Sequence, residues 1–133
     1  MQKSLDAEFP GVVSENPVSD VIVATEYYRD HLGFGIDWIE MEIALAGISR
    51  AQCWLFLAGP AFRGERNSPS HVSIWLNLSR KDEVDAPHRA WRSTNAILLS
   101  DPESKAWGLH EFNAADPDAN RFRMFYDFAT VDT

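Results

Sequence analysis

Apolar positions along the chain follow two periods, and the changes between them mark the elements. An apolar stretch, Gly11 to Val18, reads as a first strand. Asp20 follows, and in "DVIVATEYYRDHLGF" the residues Val21, Ala24, Tyr28 and Leu32 recur every three or four positions, which predicts a helix. Asp20 suits its N-cap because a short carboxylate accepts from the orphan N–H groups. Gly33 is expected to stop it. Three short strands are predicted next, at Gly35 to Met41, Ile43 to Ile48 and Cys53 to Ala58, with turns or bends at Ala46-Gly47 and Ser49-Arg50. Residues 59 to 69, "GPAFRGERNSP", read as a linker.

The same order then returns. His71 to Leu78 alternates as a strand, and "KDEVDAPHRAWRST" reads as a helix capped by Asp82 or Asp85. With Asp85 as cap, Pro87 would fall in the first turn, where a missing N–H costs little. Short strands follow near Ala96 to Leu99 and Leu109 to Ala114, then a turn "DPDAN", then a last strand Arg121 to Phe128. Strand, helix and three strands therefore occur twice, offset by about 60 to 70 residues. The expectation is an internally duplicated α+β domain spanning residues 1–133, with module one at about 11–58 and module two at about 70–128.

Alternation also nominates candidate chemistry. In "HVSIWLNL", His71, Ser73, Trp75 and Asn77 share one face, while Val72, Ile74, Leu76 and Leu78 share the other. The aliphatic face should pack on helices, and the mixed face suits a ligand groove. Phe122, Met124, Tyr126 and Phe128 alternate on the last strand, as Trp54 and Phe56 do on the last strand of module one. Of these, Phe122, Met124 and Phe128 read as core.

Composition narrows the function. The chain has 133 residues, 45% of them hydrophobic, which is ample for a packed interior. A net charge of −8 repels phosphate, so nucleic acid is not an expected partner, whereas a cation would be attracted. No apolar run reaches the roughly 18 residues of a membrane span, and the N-terminus lacks the apolar centre of a signal peptide. A soluble cytoplasmic protein is the expectation. One cysteine, Cys53, precludes an intramolecular disulfide, and inside an apolar strand it makes a poor nucleophile. Neither a Gly-rich phosphate loop nor a nucleophilic Ser/His/Asp set is visible.

Two segments carry a family resemblance. Tyr27-Tyr28-Arg29-Asp30-His31-Leu32-Gly33-Phe34 is similar to the "FYrd-LGF" signature of the vicinal oxygen chelate superfamily, the glyoxalase/bleomycin-resistance/dioxygenase proteins. Trp107-Gly108, Glu111-Phe112 and Asp116 to Asn120 resemble that family's "WG-x-x-EF-x-x-x-DPDGN", with Ala119 in place of the usual Gly. The resemblance covers about residues 12 to 128. It implies paired βαβββ modules whose curved mixed sheets form a cup. It also implies a homodimer with sites between chains.

Metal-dependent members of that family carry His or Gln on the first strand of a module and Glu on its last. By the resemblance His71 stands at one such position. The matching place in module one falls near Val13, with Glu15 the nearest polar residue. The strand-end positions fall near Phe56 and Tyr126, which carry no carboxylate; Asp127 would point to the opposite face unless a one-residue slip or a bulge turned it. A Lewis-acid metal needs about three protein ligands, so no metal and no other cofactor is expected. Trp54, Phe56, His71, Ser73, Trp75, Asn77, Trp107 and Tyr126 are the expected ligand-binding set, with Trp38 flanking it. The character resembles the bleomycin-resistance branch, which binds a small aromatic or cationic molecule such as an antibiotic. The competing expectation is an enzyme: a lyase, isomerase or dioxygenase with a relocated metal, or a metal-free acid/base catalyst using His71, His110, Glu111 or Tyr126.

Overall fold

The structure is a computed structural model that describes residues 11–64 and 70–129. The first ten residues of the chain and residues 65–69 of the expected linker lie outside the described residues. Two mixed sheets carry the fold, and each is built by one half of the sequence.

In the first half, β1 (Ser14–Pro17) leads into α1 (Val21–Asp30), and β2 (Gly35–Glu40), β3 (Leu45–Arg50) and β4 (Cys53–Ala58) follow. Their sheet order is β1-β4-β3-β2, with β1 parallel to β4 and the others antiparallel. Asp20 caps α1 as expected: its side chain accepts from the Val23 N–H at 3.0 Å. Gly33, at φ 78°, then turns the chain so that Phe34 N–H reaches the Tyr28 carbonyl at 2.9 Å.

The second half contains β5 (Ser73–Asn77), α3 (Lys81–Ser93), β6 (Ile97–Leu98), β7 (Glu103–Ser104), β8 (Leu109–Ala115) and β9 (Arg121–Asp127). Its sheet runs β5-β9-β8-β6, with β7 pairing β8 alongside. Again the first strand is parallel to the last, Trp75 lying opposite Arg123 and Leu76 opposite Met124. Between the halves, Pro60–Arg63 forms a short helix, α2, inside the stretch expected to be linker. The Gly59 N-cap and Pro60 at the first helical position explain it, since a first-turn proline needs no N–H partner.

Several expectations fail locally. Ala46-Gly47 and Ser49-Arg50 lie inside β3, and the neighbouring turns fall where Ala44 and Ala51 take φ of 55° and 53°. Glycine suggested a turn at 47, but there it makes room for a ring. The first strand begins at Ser14 and β5 at Ser73, so His71 precedes its strand. Neither Asp82 nor Asp85 caps α3. Arg80 occupies the N-cap without a side-chain bond, and both aspartates lie within the helix. Pro87 therefore sits in the helix interior, where it leaves the Glu83 carbonyl without its usual i+4 donor. β7, two residues long, carried no periodic signal.

The helix-side faces of both sheets meet in one core. Val21, Ala24, Tyr28 and Leu32 enter it from α1 and its C-terminal turn, as the spacing requires, and Val84 and Trp91 enter from α3. Ile48, Leu55 and Leu57 come from the first sheet, and Phe112, Phe122 and Met124 from the second. Tyr28, Phe34 and Trp91 all make ring contacts with Phe122, so the halves interlock rather than merely touch. Among the described residues no helix is long and apolar enough to cross a membrane.

Candidate functional site

Strand register assigns each face. Residues directly opposite share a side of the sheet. In the second sheet Leu76, Met124 and Phe112 align on the core side, while Trp75, Arg123 and Asn113 align on the other. The expected alternation of Ser73, Trp75 and Asn77 holds, and all three are exposed. Trp75 remains 55% exposed on this outer face. Phe125 packs edge-on against it at 5.6 Å, and the Arg123 guanidinium lies 4.9 Å over its ring. Arg123 and Phe125 were not anticipated; each is an ordinary strand residue until the parallel register sets it beside β5.

Tyr126 does not join them. It pairs with His110 and packs against the core, one step out of phase with Phe125. The aromatic alternation on β9 continues the core face from Phe122 and Met124, so the outer face carries Phe125 and Asp127 instead. Glu111, opposite Phe125, shares that outer face. Trp107 is 67% exposed in the turn before β8, with its indole N–H 3.5 Å from Glu111 Oε2 and the Lys105 ammonium 5.7 Å from its ring.

The first sheet bears a second aromatic row. Glu15, Phe56, Gly47 and Trp38 are successive register partners across β1, β4, β3 and β2. A register shift between Ile36 and Trp38 brings Trp38 onto this face. Its ring then lies across Gly47 and reaches Phe56, with centroids 5.5 Å apart. A Cβ at position 47 would stand 2.5 Å from Trp38 Cε2, so the close approach requires glycine. Trp54 stands beside this row, 57% exposed. Among the described residues the two rows make no ring contact with each other.

His71 is exposed, and its Nδ1 lies 2.9 Å from Ser70 Oγ. Nearby donors do not make a metal site. Among the described residues no three His, Cys, Asp or Glu side chains converge to hold an ion. The outer-face residues of β4 and β9 that align with the first strands are Phe56, Arg121, Arg123 and Phe125; two are uncharged rings and two are cations. That donor set does not fit the divalent metal of the family's metal-dependent members.

His110 instead sits on the core side, 4% exposed. One ring nitrogen, Nε2, lies 2.7 Å from Asp85 Oδ1, and the other, Nδ1, lies 2.9 Å from Ser104 Oγ. A Ser/His/Asp array is thus present, which the sequence did not reveal because its members come from β7, β8 and the interior of α3. Ser104 and His110 are cross-strand partners, so the array also ties the β7 edge to the helix.

A third feature lies on the helix side. A cleft of about 700 Å³ opens between the β3–β4 turn and α3, with Phe34, Leu76, Trp91, Phe122 and Met124 in its wall. Cys53 borders it; burial pushes its thiol upward, and the nearby Arg50 charge offsets part of that.

The architecture and the two motifs define a known class. The model of the glyoxalase/bleomycin resistance protein/dioxygenase superfamily matches residues 15–124, and the chain belongs to that family. No curated protein matches the sequence. Among solved structures the chain is similar to a glyoxalase/bleomycin resistance protein/dioxygenase from Nocardioides, with TM-score 0.73, 16% identity, 97% of this chain covered and 91% of that one. It is similar as well to TioX from Micromonospora sp. ML1, with TM-score 0.67, 17% identity and coverage of 90% and 99%. A lactoylglutathione lyase from Agrobacterium tumefaciens resembles it at TM-score 0.67 and 16% identity, with coverage of 93% and 99%. At such identities the likeness shows the fold alone.

Proposed function

We propose that the protein binds and sequesters a small aromatic or cationic molecule, such as an antibiotic, on its outer sheet faces without using a metal. The observation that carries this reading is the half-exposed state of Trp54 and Trp75, each on a sheet face turned away from the core. Large rings left wet in this way are suited to stacking, at about 1 kcal/mol per ring pair. Arg123 already covers one side of Trp75, so that ring offers its remaining face to a planar ligand. A cation is better served at Trp54, where Glu15 lies on the same outer face. Among the described residues neither row is closed, and a homodimer that sets one row against a partner's would enclose a ligand between them.

The test is a titration of bleomycin, as a cationic aromatic probe, against tryptophan fluorescence, with metal content measured on the same preparation. Saturable quenching that weakens about tenfold in Trp75→Ala or Trp54→Ala, and stays unchanged in His71→Ala, is expected. A stoichiometric metal that disappears in His71→Ala would overturn the reading.

The Ser104–His110–Asp85 array favours a second reading, metal-free acid/base or nucleophilic catalysis. Ser104 is exposed and bonded to a ring nitrogen whose opposite nitrogen meets a carboxylate. Turnover of p-nitrophenyl acetate that vanishes in Ser104→Ala would support it over sequestration.

A further inference from the structure

The cleft on the helix side is separate from the aromatic rows. Its wall residues Leu76, Phe122 and Met124 belong to the core-side alternation of β5 and β9, opposite to Trp75. It exists for a local reason. Ala86 and Ala90 are four apart on α3 and so lie on one face of the helix. Both are exposed and both line the cleft, where larger side chains would fill it. The β3–β4 turn, Arg50 to Cys53, forms the opposite lip.

Charge at this mouth is unequal. Glu83 borders the cleft, yet its carboxylate is occupied: Oε1 accepts from the Ser79 N–H at 2.9 Å, and Oε2 lies 3.5 Å from Arg80. Arg50 is different. It donates one guanidinium N–H to the Leu32 carbonyl at 2.8 Å, and among the described residues it forms no ion pair. A guanidinium carries five N–H donors in a planar fork that matches a carboxylate. An apolar cavity of this size with one cation at its lip matches a small molecule with a hydrophobic body and one acidic group.

We propose that this cleft is a second binding site, which takes an aromatic or branched aliphatic monocarboxylate, its apolar body against Phe34, Trp91, Phe122 and Met124 and its carboxylate paired with Arg50. The net charge of −8 opposes an anion at long range, but that field is screened beyond about 8 Å at physiological ionic strength, so the local cation decides.

The experiment is an NMR titration of the full chain with 1-naphthaleneacetate and with the neutral 1-naphthaleneacetamide. Shift changes centred on residues 50–53 and 83–91 are expected, with the acid binding about tenfold more tightly than the amide. Arg50→Gln should erase that difference. Ala86→Phe, at an exposed helix position, should abolish both while leaving the spectrum dispersed. Trp75→Ala should change neither, which separates this site from the outer faces. Equal affinity for acid and amide, shifts centred elsewhere, or no binding of either compound would each overturn the proposal.

Discussion

Tyr28 donates its phenolic O–H to Asp116 Oδ2 at 2.7 Å, and both residues are buried. Tyr28 is on the helix of the first half, and Asp116 opens the turn between the last two strands of the second. Asn16 donates to the same phenol at 3.1 Å, and Asn120 donates its amide to both Asp116 Oδ2 and the Pro17 carbonyl at 2.8 Å. The motif residues Tyr28, Asp116 and Asn120 thus act as one polar clasp across the halves. A buried carboxylate is tolerable only when donors surround it.

Tyr28→Phe removes one donor from Asp116 and leaves Asn16 without its acceptor. The expected cost is about 1–3 kcal/mol in urea unfolding. Burial raises the Asp116 carboxyl above the usual range, and its bonds from Tyr28 and Asn120 pull it back. Because the folded-state value is raised, Asp116 contributes most below the ordinary carboxylate range and loses that contribution as pH rises through the folded-state value. Removing the phenol raises the carboxyl further. The deficit of Tyr28→Phe should therefore be largest near pH 7 and shrink on acidification. A deficit that does not vary with pH would mean that the lost phenol matters only through packing.

Ala119 takes φ 69° in the turn after Asp116, where the family motif has glycine. A Cβ in the left-handed region is strained. Ala119→Gly should stabilise the fold by a few tenths to about 1 kcal/mol, the relief being partly offset by the greater freedom of glycine in the unfolded chain. Thermal unfolding checks it, and a lower midpoint would show that the turn holds alanine without strain.

His110 joins Asp85 on α3 to Ser104 on β7, and its loss leaves both partners short of a bond. His110→Ala should cost about 1–3 kcal/mol. A double-mutant cycle with Asp85→Ala measures the coupling between the two. A coupling near zero would show that the pair does not secure the helix to the edge strand.

The fold was legible because it rests on local periodicity. The α1 spacing, the alternation through β5 and the two motifs each point to the observed element. What failed was phase and long-range company. The family's strand-end position assigns Tyr126 to the ligand site, although it alternates with Phe122 and Met124, which read as core, and the structure keeps all three on that side. Arg123 reaches Trp75 only through parallel pairing, and Asp85 meets His110 from inside α3, which begins five residues earlier than a cap at Asp85 would allow. Gly47 read as a turn for a sound reason, glycine's freedom, but it serves a cross-strand ring instead.

The shared core has a mechanical consequence. Phe122 from the second sheet is wedged among Tyr28, Phe34 and Trp91, so neither half owns a complete interior. Severing the chain near α2 would yield two fragments that each expose a wet hydrophobic wall. The connecting segment holds those two walls at high effective concentration.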